Sequence, residues 1–479
     1  MIGWGLLLFG LIVQWLFGAA LATLILGRRI WRPSLQARWW TSRAELIGLG
    51  IVLGIAGTSY AQFLWGLAGG PLTRSTSIGW GVLGSLAGIA AWGLSRAPRP
   101  APLGNDDQSA WVRFAATIVV LLFVSLLGQT LLTPQRLWDE RAIFGLKSIV
   151  LFEDAQLQSP DLLHPDFVQY HPRYPMLIPL AEQHIYALLG SADDRWAKLL
   201  FPLMSLGMVL TFAGVLQRQL RAAIAWLWTL VLATVPILAF NDYGFLSAQA
   251  DAPVACYHGI SLLYLWSWLR TRRKEKTSDP RPLILAGAAA SMTLFTKDEG
   301  IALAIIDAGL LCLLVIVMNW GPENQKLAAL KTALGWTGLF AVTTLLIAAP
   351  WFLYRGRLPT TTEMNYSGRV NMVTLMAGLG TLSWSVPHML GAMFLQVTTM
   401  GLQWWGLLIA GATQPRRALR PEQLLLLGDV LGALAALLVV GMIAPTPVEE
   451  HIGGSSHRFL MQITPVAVLF IAGQWSRDE

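Results

Sequence analysis

The chain has 479 residues, of which 55% are hydrophobic and only 13% charged, with a mean hydropathy of +0.55. A soluble domain of this size has no interior large enough for that much apolar surface, so the composition excludes a soluble globular protein and calls for a polytopic membrane protein. The net charge of +7 is what basic cytoplasmic loops give, not a nucleic-acid partner.

Apolar runs long enough to cross a bilayer recur from end to end. They lie near 4–26, 45–67, 77–95, 112–133, 197–216, 222–240, 252–269, 282–296, 300–319, 332–353, 385–410, 422–444 and 459–475, about thirteen spans in all. The first is long enough to span and lacks a basic leader, so no cleavable signal is expected. Its 22 tryptophans suit interfacial anchoring. Cys256 and Cys312 sit inside apolar runs and read as small core residues rather than a disulfide or a metal pair.

Charge orients these spans. Arg28, Arg29, Arg32, Arg38 and Arg43 follow the first span, which puts that loop in the cytoplasm and the N-terminus outside. Counting on, the remaining basic clusters fall inside: Arg96/Arg99/Arg113, Arg218/Arg221, Arg270 to Lys276 with Arg281, Lys326/Lys331 and Arg416/Arg417/Arg420. The C-terminus is then cytoplasmic. Most acids and all seven histidines fall at or near the outer face. Chemistry is therefore expected outside. No P-loop or dinucleotide-binding glycine motif is present.

The longest outer loop, about 134–196, opens on Trp138-Asp139-Glu140-Arg141. An acidic pair beside a membrane span is costly, and a carboxylate there is placed to take a proton from an acceptor hydroxyl. Capping the span end is the plain alternative. Arg141–Phe152 and Pro175–Leu189 have apolar residues at helical spacing, with Lys147 and Arg141 on the polar side of the first; both are expected to lie as amphipathic helices in the interface. Between them a proline-pinned turn presents Tyr170, His171, Arg173 and Tyr174 as candidate substrate contacts.

Further outer-face candidates follow. Asp251 stands where the chain re-enters the membrane, as a functional acid or a helix cap. Lys297, Asp298 and Glu299 form a hairpin tip in which the lysine is suited to a phosphate. The last outer loop carries Glu449, Glu450 and His451, then His457-Arg458 at the mouth of the final span, where an arginine either holds phosphate or snorkels. The 354–384 loop adds Arg355, Arg357, Glu363, Tyr366 and Arg369 without assignable roles. No HExxH or comparable spacing supports a histidine metal site, so no metal ligands are assigned. Several outer acids are able to hold a divalent cation, which is the only cofactor left open. Asp307, alone in an apolar run, is expected to face the bundle interior and be hydrogen-bonded there.

The segments WDERAIFGLKSIVLF, HPRYPMLIPLAEQHIYALLG, GFLSAQADAPVACY, LFTKDEGIAL and HRFLMQITPVAVL, taken in order, resemble bacterial members of the GT-C membrane glycosyltransferases, the group related to protein O-mannosyltransferases and lipid A aminoarabinose transferases. The likeness spans about 112–475. It implies an all-α GT-C-type bundle with a catalytic module over 111–479, preceded by a three-helix addition over 1–110. It further implies an inverting transfer of a sugar from a polyprenyl-phosphate donor to a lipid, glycan or protein acceptor, at the outer face of the bacterial inner membrane. By the same resemblance Asp139 is the base, Glu140 its companion acid, and Arg458, with Lys297 and His457 near it, the donor-phosphate contact. A polyprenyl-linked glycan polymerase or ligase and a lipid or solute transporter are the rival readings.

Overall fold

The computed structural model describes residues 2–27, 43–94, 109–275, 279–322, 326–359 and 366–475. Arg28, Arg29, Arg32, Arg38, Arg96, Arg99, Lys276 and Glu363 lie outside the described residues. Those described form helices and connecting turns with no strand among them. In chain order the main helices are α1 (Ile2–Leu26), α2 (Ala44–Leu67), α3 (Arg74–Leu94), α4 (Ala110–Leu132), α5 (Leu146–Glu153), α6 (Leu177–Leu189), α7 (Leu200–Gln217) and α8 (Ala222–Ala233). They continue with α9 (Asp251–Glu275), α10 (Arg281–Thr296), α11 (Gly300–Asn319), α12 (Lys326–Arg355), α13 (Leu382–Phe394), α14 (Gln403–Thr413), α15 (Pro421–Ile443) and α16 (Val448–Gln474).

Among the described residues, seven helical segments are long and apolar enough to cross a bilayer: Gly3–Leu26, Ala44–Leu67, Ala110–Leu132, Asp194–Gln217, Gly300–Asn319, Lys326–Arg355 and Pro421–Ile443. The protein is thus an all-helical, multi-pass membrane protein. Their outward residues are large and apolar, as on α12, where Leu345 and Leu346 stand exposed. In lipid such a surface costs nothing.

Two expected spans are not single helices. The 385–410 run is split into α13, a short turn over Val397–Met400, and α14. Gly401 takes φ +85°, a left-handed conformation that ends one helix and redirects the next. The 222–240 run stops at Ala233, because Pro236 disfavours helix in the residue before it; a short turn, Pro236–Ala239, follows.

The long outer loop also differs from expectation. α6 has no wet face: every residue from Leu177 to Leu188 is buried, against α1, α2 and α5. Its polar groups are met inside the protein. Glu182 accepts from Gln135 Nε2 at 2.8 Å and Ser148 Oγ at 2.6 Å, and Gln183 donates to the Leu72 carbonyl at 2.8 Å. In α5, Lys147 is fully buried and donates to the Tyr174 carbonyl at 3.2 Å, so the residue assigned to the polar side points inward. Helical spacing identified the helices, but long-range hydrogen-bond partners decide which face is buried.

The first helices pack into the bundle. α2 lies against α7 so closely that a Cβ on Gly48 would stand 2.5 Å from both the Gly207 carbonyl oxygen and the Thr211 nitrogen. At its inner end Glu45 accepts from Arg218 at 2.7 Å and from the Tyr264 hydroxyl at 2.6 Å. Tyr257 of α9 donates to the Val52 carbonyl of α2 at 3.0 Å. Because backbone, unlike a side chain, cannot swing aside, Gly48→Ala is expected to cost about 1–3 kcal/mol by overpacking. The check is thermal unfolding of the detergent-solubilised protein; a variant melting with the parent would show that this seam has slack.

Candidate functional site

Four segments distant in sequence meet at one end of the bundle. Asp139 begins the loop after α4, Asp251 begins α9, Lys297 caps the end of α10, and Arg458 lies in the third turn of α16. Arg458 joins them. Its Nε donates to Asp251 Oδ2 at 2.8 Å and its terminal nitrogen to Asp139 Oδ2 at 2.7 Å. The guanidinium also stands 5.8 Å from the Tyr243 ring centre, close enough for a cation–π contact.

Asp251 is wholly buried, and three donors neutralise and satisfy it: Arg458, Lys297 Nζ at 2.8 Å and Gln462 Nε2 at 2.9 Å. A buried carboxylate is tolerable only with partners of this kind. Lys297 reaches Glu299 as well, at 2.7 Å. Burial alone would lower its pKa, but Asp251 and Glu299 hold the lysine well above its ordinary range, so it stays charged. Asp139 differs from Asp251 in access: its side chain and that of Arg458 remain 23% and 21% exposed. Asp139 and Glu299, the latter 34% exposed, are the carboxylates of this cluster open to an incoming molecule.

Glu140 turns the other way. It is buried and accepts the backbone N–H groups of Arg136, Leu137 and Ala248 at 2.6, 2.9 and 2.7 Å, with Lys198 Nζ 3.9 Å away. Its oxygens hold the loop ends together and bond away from Arg458, unlike those of Asp139. The two adjacent acids part because Asp139–Gly145 is a π-helical turn, a wide form that often occurs at functional sites.

The other expected contacts sort into walls and clasps. Asp298 takes a two-pronged bond from Arg355 at 2.9 and 2.8 Å, and its carboxyl is raised by burial despite that partner. Arg173 donates twice to the Leu358 carbonyl, at 3.1 and 3.0 Å. Both tie the loop turns to the end of α12 and leave little for a substrate. His171 takes a left-handed backbone (φ 51°) and sits between Trp138 and Tyr174, ring centres 6.0 and 4.8 Å away; Tyr170 packs on Phe167. These rings border Asp139. His457 is not with Arg458: as its neighbour on a helix it points elsewhere and pairs with Gln396.

One participant, Gln462, was not singled out in the sequence. It is one helical turn after Arg458, and that i, i+4 spacing was the available signal. Burial brings Lys147 down to about 7, with Asp298 opposing the shift and Arg355 adding to it. In the same way burial, against the Ser148 hydrogen bond, raises Glu182 to about 8.

Compared with known proteins, the sequence matches no family and no curated protein.

The Glu182 shift has a defined sign. The folded state holds this proton more tightly than the unfolded chain, so its stabilising contribution is complete below the unfolded value near 4.5 and is lost as pH rises through about 8. Glu182→Gln keeps the hydrogen bonds to Gln135 or Ser148 without titrating. The melting temperature of the variant relative to the parent is expected to climb between pH 4.5 and 8, measured by scanning fluorimetry. A difference that stays flat across that window would show that Glu182 does not carry the proton.

Proposed function

We propose that the protein is an inverting membrane glycosyltransferase that moves a sugar from a polyprenyl-phosphate donor to a lipid, glycan or protein acceptor at the extracytoplasmic face. The observation that carries this reading is the Arg458 guanidinium, bonded at once to the accessible Asp139 and the buried Asp251. That arrangement couples a base to an anion site. Asp251 holds Arg458 in place, and the second bond of Arg458 falls to Asp139 until a phosphate competes for it. The cluster contains three carboxylates, Asp139, Asp251 and Glu299, against two cations, Arg458 and Lys297. A further anion is therefore unfavourable unless it displaces one of them; Asp139 and Glu299 are the partly exposed ones, and Asp139 is the one bonded to Arg458.

The reaction follows from that exchange. The donor phosphate takes the Arg458 terminal nitrogen, with Lys297 adding charge from the side, and the prenyl chain stays among the apolar helices. Asp139, released, accepts the proton of the acceptor hydroxyl as its oxygen forms a bond to the anomeric carbon. The bond from that carbon to the phosphate oxygen breaks on the opposite side, so configuration inverts and the electron pair goes to a phosphate already stabilised by cations. A divalent cation on the exposed side of Asp139 fits the charge balance and is open to trial by chelation. The N-terminal 1–110 segment is read as an addition to a catalytic module over 111–479, with the N-terminus outside, the C-terminus cytoplasmic, and about thirteen spans in the bacterial inner membrane.

Asp139→Asn is expected to leave expression and melting near the parent and to reduce transfer from a polyprenyl-phosphate sugar by roughly 10²–10⁴-fold, the usual worth of a positioned base. Arg458→Ala is expected to weaken donor binding, so that more donor is needed for half-maximal transfer. The assay is radiolabelled transfer in membranes; near-parent transfer by Asp139→Asn would remove the base assignment. Orientation has its own check: an alkaline phosphatase fused to the C-terminus is expected to stay inactive, and activity there would invert the topology.

A further inference from the structure

His258, Asp307 and Asp429 come together deep in the bundle from three helices, α9, α11 and α15, each less than 3% exposed. One ligating atom from each lies within 4.8 Å of the other two. His258 Nε2 stands 3.3 Å from Asp429 Oδ1 and 3.7 Å from Asp307 Oδ2. Yet none of their polar atoms, both ring nitrogens and all four carboxylate oxygens, has a hydrogen-bond partner among the described residues. Asp307 faces the interior as expected, but without the expected hydrogen bond.

Two buried carboxylates against one imidazole are a heavy electrostatic cost inside a membrane, and evolution has cheaper ways to fill a helix interface. Two occupants relieve it: a shared proton or a cation. A shared proton lies along a hydrogen bond, and no aligned one joins His258 to either carboxylate. The spacings fit a cation instead. Ligands about 2.0–2.1 Å from a tetrahedral ion stand about 3.4 Å apart, close to both observed separations. We infer that His258, Asp307 and Asp429 form a buried site for a divalent transition-metal ion of the Zn²⁺ class, fastening α9, α11 and α15. An imidazole nitrogen with two carboxylate oxygens suits such an ion, whereas Ca²⁺ asks for about 6–8 oxygens. The charges then cancel. The site is separate from the Asp139–Arg458 cluster and does not rest on the transferase reading. Asp251 nevertheless lies on the same helix as His258, seven residues and about 10 Å along it, so fixing α9 here fixes the anchor of Arg458.

The test uses tag-free, full-length protein in detergent, loaded with Zn²⁺, washed, and assayed by mass spectrometry of its metal content. About one equivalent is expected to stay bound, and Co²⁺ in its place is expected to give the intense visible bands of a tetrahedral site. His258→Ala and, separately, the shape-preserving Asp429→Asn are expected to lower retention by roughly tenfold or more at the parent elution volume. Removing the ion with a chelator is expected to lower the melting temperature of the parent but not of Asp429→Asn. Less than about a tenth of an equivalent on the parent, or equal retention in both variants, would overturn the site. If a variant fails to fold, parent stoichiometry and the Co²⁺ spectrum still decide.

Discussion

One buried carboxylate organises one end of the helix bundle. Asp251 has no exposure to solvent and gathers Arg458, Lys297 and Gln462 around its two oxygens. Those partners come from the end of α10 and the body of α16, so satisfying one charge fixes how α9, α10 and α16 meet. Exposed ion pairs contribute little because water competes for both members, but Asp251 has no such alternative. Removing the carboxylate would leave two cations facing each other. The position of Asp139 depends in turn on the guanidinium that Asp251 holds.

The charge placed around this anchor separates roles among acids that look alike in the sequence. Asp139 is partly exposed and bonded to Arg458, Glu140 spends its oxygens on backbone N–H groups, and Asp298 is held in a two-pronged pair by Arg355. The rings of Trp138, His171 and Tyr174 pack on one another in the same loop. What separates these acids is thus the partners each one has, not how many acids are present.

The membrane character was legible because long apolar runs admit one solution in lipid, and Asp139, Asp251, Lys297 and Arg458 were legible because charge at a span end is expensive. Their direct contacts were not, since they join positions 46 to 319 residues apart. The His258–Asp307–Asp429 group was hidden for the same reason: no local spacing reports three helices crossing. α6 was misjudged because Gln183 and Glu182 look like a wet face until their partners on α2 and in the loop are known. The 385–410 run shows the opposite limit, where hydropathy averages across a break set by Gly401.

The π-helical turn at Asp139–Gly145 carries one more consequence. Its wide ring accommodates one residue more than an α-helical turn. Glu140 clamps the chain on either side of it from within the turn itself. Two adjacent acids are therefore fixed by different parts of the protein: Asp139 by α16 through Arg458, and Glu140 by the backbone before the turn and before α9.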